Sequence, residues 1–166
     1  MRASSSKHLL GRDDKKAGVG ADLPPPPGRG TLQGHEAGGG VTVDMSEESR
    51  IAGLLRERWA AAFAARDLDG LAALYAPDVL FFGSTPELFK GHAGVRAYFA
   101  GLSPDVSLEA FEAPELVRVA AGVFATAGFW RFRFGAEARL YRLTWVIASR
   151  DGGWVIAQHH AARCDL

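Results

Sequence analysis

The sequence predicts an α+β domain, with three helices in the N-terminal half of the folded region and a curved antiparallel sheet after them. Three observations carry this. Apolar residues recur at helical spacing up to about residue 102 and at strand spacing beyond it. Arg150-Asp151-Gly152-Gly153 is a strong hairpin signal between the last two apolar runs. The 10 Phe, 3 Tyr and 4 Trp all lie at or after Trp59, so the core belongs to the later part of the chain.

The chain divides at about residue 44. Residues 1–44 hold nine of the 20 glycines and the run Pro24–Pro27, with Leu9-Leu10 as the only apolar pair. Such a segment buries too little apolar surface to offset its ordering entropy and is expected to be a disordered tail. Arg2 and Lys7 precede no apolar stretch, and Asp13 and Asp14 follow, so a secretory signal is not expected. Met45, before Ser46-Glu47-Glu48, reads as an alternative start.

Each element of residues 45–166 has its own signal. Ser46 is expected to cap a first helix, with Glu47 and Glu48 in its first turn. Ile51, Leu54, Leu55, Trp59, Ala62 and Phe63 form its apolar face, and it ends near Arg66. Asp67 caps a short second helix through Tyr75, which Pro77 stops. Val79–Phe82 reads as a buried strand ending at Gly83, and Leu88-Phe89 as a short one. Gly91 to Leu102 reads as a third helix, with Val95, Tyr98, Phe99 and Leu102 on one face. Val106–Val119, interrupted at Pro114, then Gly122–Phe134, Arg139–Ser149 and Trp154–Arg163 read as strands.

Composition limits the function. The 19 Lys and Arg balance 19 Asp and Glu, which excludes a nucleic-acid binder that works through bulk basicity. The single Cys164 excludes an internal disulfide, a cysteine-based zinc site and an iron–sulfur cluster. No apolar run reaches the roughly 18–20 residues of a membrane span. These features predict a cytoplasmic protein with no nucleic-acid or membrane partner.

Three stretches resemble the nuclear-transport-factor-2-like superfamily in its SnoaL-like branch: WAAAFAARDLDGLAALYAPDVLFFG (59–83), FKGHAGVRAYF (89–99) and RLTWVIASRDGGWVIAQHHAA (142–162). The last is also similar to the SgcJ/EcaC-type proteins and to the association domain of calcium/calmodulin-dependent protein kinase. The resemblance implies a cone-shaped fold whose sheet and helices enclose a cavity, and a homodimer through the exposed sheet face. It also spans isomerases, dehydratases, hydrolases, cyclases and purely associating members, so fold alone does not give function.

The resemblance places Trp59, Gly83 and Trp145 where ketosteroid isomerases carry a tyrosine, a carboxylate base and a protonated acid, so that activity is not expected. Arg131, Arg133, Arg139 and Arg142 find no interior carboxylate partner for epoxide hydrolysis. The kinase domain's cavity arginines fall on Gly128, Trp145 and Ala161. The expected cavity is therefore aromatic, lined by Trp59, Phe63, Phe81, Trp130, Trp145 and Tyr141, with Gln158 nearby, and suits a small apolar molecule. His159 and His160 are the candidate acid–base residues; as neighbours on a strand they point to opposite faces, and both remain candidates. For the same reason no metal site is expected from them. One reading is therefore a cofactor-independent lyase, isomerase or cyclase; the alternative is a non-catalytic association or ligand-sensing module.

Overall fold

The computed structural model describes residues 45–164, and the expected tail at 1–44 lies outside them. The elements are α1 (Met45–Ala65), α2 (Leu68–Ala73), β1 (Tyr75–Phe82), β2 (Leu88–Lys90), α3 (Gly91–Ala100), β3 (Val106–Phe111), β4 (Glu115–Ala120), β5 (Val123–Phe134), β6 (Glu137–Arg150) and β7 (Gly153–Arg163). The α+β class, the three helices and the curved sheet are as expected.

The sheet order is β2-β1-β7-β6-β5-β3, with β4 also paired to β5. β3 takes the Trp130–Phe134 end of β5 and β4 takes the Val123–Ala127 end. The break at Pro114 thus turns one expected strand into two that share an edge. The sheet is mixed rather than wholly antiparallel, because β1 runs parallel to β7. A parallel neighbour needs a long crossover, and the whole span from β1 to β7 supplies it.

α1 begins at Met45, one residue before the expected cap. Its apolar face is buried as Ile51, Ala52, Leu55, Trp59 and Phe63. Asp67 does cap α2, accepting from the Gly70 N–H at 2.8 Å. α2 is shorter than expected, and Pro77 sits inside β1 instead of ending a helix. The β1–β7 register breaks between Tyr75 and Leu80, where Pro77 has no N–H for the ladder. β1 also has one wet face: Val79 and Phe81 are buried, while Leu80 and Phe82 are exposed. At the β6–β7 turn Asp151 and Gly152 both have positive φ, 51° and 77°. That is the turn an Asp-Gly pair favours, because its twist matches the strands it joins.

The core is one cluster. Trp59, Trp130, Trp145, Tyr75, Phe81, Phe124, Ile147 and Ile156 are its largest members with almost no exposure. Aromatic rings meet edge to face through it, with Trp59 against Trp130 at 5.0 Å between centroids and against Phe99 at 5.7 Å.

Candidate functional site

β-sheet register builds the site. Pairing across four strands sets Thr126, Trp145, His159 and Phe81 side by side in one row. Members of such a row share a face, and this one faces the helices: all four are buried. The adjacent row, Ala127, Thr144, His160 and Phe82, faces the other way. His160 is exposed there, edge-on to Phe82 at 5.9 Å.

One extra residue in β7 decides this. Ile147 pairs with Ile156, yet Val146 pairs with Gln158, so Ala157 is left over as a bulge. Strict alternation puts Ile156 on the face of His160; the bulge puts it on the face of His159, and both are buried.

His159 is held by a chain of donors. Trp145 Nε1–H donates to His159 Nδ1 at 2.9 Å. The Tyr75 hydroxyl lies 3.0 Å from the same nitrogen. Trp59 Nε1–H donates to the Tyr75 oxygen at 2.8 Å. An indole N–H can only donate, so Nδ1 is the acceptor and the ring proton sits on Nε2. Tyr75 Oη accepts from Trp59 and donates to Nδ1. Phe81 stacks on the ring at 4.3 Å.

Burial is the main reason the imidazolium is disfavoured, with His160 adding a smaller repulsion. Together they lower the His159 pKa to about 3. Burial likewise pushes the Tyr75 phenol far up, and that of Tyr141 up more modestly. At neutral pH the imidazole is uncharged, and Nε2–H is the one polar atom of the ring left for a bound molecule.

A cavity of about 40 Å³ lies beside it, lined by Trp59, Phe63, Phe81 and Tyr141 with His159. Trp130 and Trp145 pack behind this wall rather than in it. Gln158 borders a separate open hollow on the outer sheet face, of about 380 Å³, with Val117, Ala125, Thr144 and Val146. Sequence reasoning placed Tyr75 in the second helix and in the core, and so missed its bond to His159. It also missed Ser84, Tyr98, Phe99 and Leu102 as lining residues, and Phe132, Phe134 and Leu143 opposite them. The apolar face of α3 was a signal for Tyr98, Phe99 and Leu102; nothing local marks Ser84. No Asp, Glu, Lys or Arg is among the lining residues. Among the described residues no group of three or more His, Cys, Asp or Glu side chains is placed to hold a metal ion. No described helix is long and apolar enough to cross a membrane.

The SnoaL-like domain family matches residues 57–157. No curated protein matches the chain. Solved structures share the fold, three of them as follows. A candidate calcium/calmodulin-dependent protein kinase II association domain from Xanthomonas campestris is 24% identical, with TM-score 0.63 over 69% of this chain and 86% of that one. An NTF2-like protein of unknown function from Pseudomonas putida is 22% identical, with TM-score 0.61 over 72% and 87%. An NTF2-like protein with a cystatin-like fold from Novosphingobium aromaticivorans is 16% identical, with TM-score 0.63 over 73% and 84%.

Proposed function

The chain belongs to the SnoaL-like domain family, and from that premise we propose that it is a small-molecule-binding protein needing no cofactor. Its ligand is a small, uncharged, mostly apolar molecule with an oxygen acceptor. The single observation that carries this is the Trp145 N–H bond to His159 Nδ1, which commits the other ring nitrogen to donating. A donor among aromatic walls orients a carbonyl or ether oxygen, and the uncharged lining penalises an ion.

His159 is a donor in this reading, rather than the acid–base group expected from an ordinary histidine. A neutral imidazole can polarise a carbonyl or steady an oxyanion. Lyase, isomerase or cyclase chemistry also needs a base, and the lining has no carboxylate to serve as one. Binding or ligand sensing is therefore the better-supported function, with His160 outside it on the opposite face.

The test is thermal unfolding of the full chain with benzaldehyde and with benzoate. A ligand at about 100 times its Kd stabilises by about 2.7 kcal/mol, a shift of several degrees. Benzaldehyde should give this shift, benzoate should not, and His159→Leu should abolish it. Equal stabilisation by benzoate, or indifference to His159→Leu, overturns the reading.

The outer hollow favours a second reading, association as a homodimer. It is much larger than the inner cavity and is lined by Val117 with Glu115 beside it, and Leu80, Phe82 and Phe129 are further exposed apolar residues. The two readings use opposite faces and are compatible. A lone cysteine without a disulfide fits the reducing cytoplasm.

A further inference from the structure

The geometry points to Tyr98 as the residue that decides what reaches His159. The inference rests on the reading of this cavity as the ligand site, and adds how its specificity by size is set. At about 40 Å³ the cavity is smaller than the ~150 Å³ that holds a benzene ring. A ring-sized molecule must displace a side chain from the wall. Trp59, Phe63, Phe81, Phe99 and Leu143 are fixed in the buried core.

Tyr98 is held differently. It is half-buried, as are Leu102, Phe132 and Phe134, but Tyr98 has a polar tip, and that tip is fastened to an exposed turn. The Ser84 N–H donates to Tyr98 Oη at 2.9 Å, and Ser84 Oγ lies 3.0 Å from the same oxygen. Ser84 is itself the exposed member of the cavity lining. The hydroxyl thus ties α3 to the turn after β1 at the mouth of the cavity.

Gly83 permits this closure. A Cβ at Gly83 would fall on the Tyr98 ring, inside any real contact distance. Its backbone is not in the left-handed region, so alanine there is unstrained in itself and acts only on the ring. Tyr98→Phe removes the bonds and keeps the ring; Gly83→Ala keeps the hydroxyl and pushes the ring aside. Two chemically different changes should therefore open the same mouth. With no charged residue on the lining, the opened mouth admits uncharged molecules and still rejects ions.

The experiment is collisional quenching of tryptophan fluorescence in the full chain carrying Trp154→Phe, which removes the half-buried indole outside the site. Acrylamide is the uncharged quencher and iodide the charged one. Tyr98→Phe and Gly83→Ala should each raise the acrylamide quenching constant several-fold and leave iodide quenching unchanged. No rise in acrylamide quenching in either variant overturns the proposal. A parallel rise with both quenchers also overturns it, since that is general loosening. Should either variant fail to fold, Ser84→Ala gives a milder release at the same contact and should show the same selective rise. Benzaldehyde stabilisation measured on the same proteins separates the two claims. Lack of benzaldehyde binding with selective acrylamide entry sinks the ligand reading alone. His159-dependent benzaldehyde stabilisation, with acrylamide quenching unchanged by Tyr98→Phe and Gly83→Ala, sinks the role of Tyr98 alone.

Discussion

His159 Nδ1 faces two donors at once, from Trp145 and Tyr75. Nδ1 has one lone pair, which Tyr75 still fills when the Trp145 N–H is lost, so Trp145→Phe should cost only about 0.5–1.5 kcal/mol through hydrogen bonding in urea unfolding. Tyr75→Phe should cost more, about 1–3 kcal/mol, because it orphans the buried Trp59 N–H. The same residue gives a pH dependence with a definite sign. In the unfolded chain the imidazole has an ordinary pKa of about 6.5, and in the fold burial lowers it to about 3. Between those values the unfolded chain holds a proton that the folded chain does not. The stability from His159 is therefore full above about pH 6.5 and is lost as pH falls toward 3, by up to about 1.4 kcal/mol per pH unit. Urea midpoints measured from pH 7 to 4 should fall in the parent and fall much less in His159→Leu. An unchanged slope in the variant would mean that another group drives the acid limb.

Among the elements, helix faces and hairpin turns were legible because their signals are local. The apolar face of α1, the Asp67 cap and the Asp151-Gly152 turn all depend on residues a few positions apart. That turn also offers a direct check. Gly152 has φ of 77°, where a Cβ crowds the following carbonyl at about 1–2 kcal/mol. Gly152→Ala should lower stability by about that amount, while alanine at Gly153, outside that region, should be nearly neutral. Register was less legible. Counting back from the turn in strict alternation pairs Trp145 with Gln158, whereas the bulge at Ala157 pairs it with His159. A bulge answers to the curvature of the whole sheet, and no residue near Ala157 announces it. Choosing between His159 and His160 depended on that single residue. The parallel β1–β7 pair was illegible for a related reason: its strands are about 80 residues apart in sequence. Pro77 misled for the opposite reason, since a helix stop and a break in strand pairing both exploit its missing N–H.

Across the molecule as a whole, the outer sheet face presents exposed apolar side chains, Leu80, Phe82 and Val117 among them. Register lays out two of its rows. One runs Val117, Ala125, Val146, Gln158, Leu80, and the other Ala127, Thr144, His160, Phe82, Leu88. The second row continues from Ala127 to Glu115 and the first from Leu80 to Lys90, so apolar Leu80, Phe82 and Leu88 gather at the β1–β2 end of this face and small Ala125 and Ala127 at its β5 end. A second copy related by a two-fold axis could set its exposed Phe82 and Leu80 over the Ala125–Ala127 hollow of the first and receive the same in return. A stable dimer needs about 800 Å² buried on each partner. Light scattering at micromolar concentration should report a dimer. Leu80→Glu with Phe82→Glu should give a folded monomer, since both side chains are outside the buried core. His159 faces the other side of the sheet, so the monomer should bind benzaldehyde as the parent does. A persistent dimer would move the interface away from this face. Loss of ligand binding on dissociation would mean that the two faces are coupled, with association and ligand occupancy parts of one function.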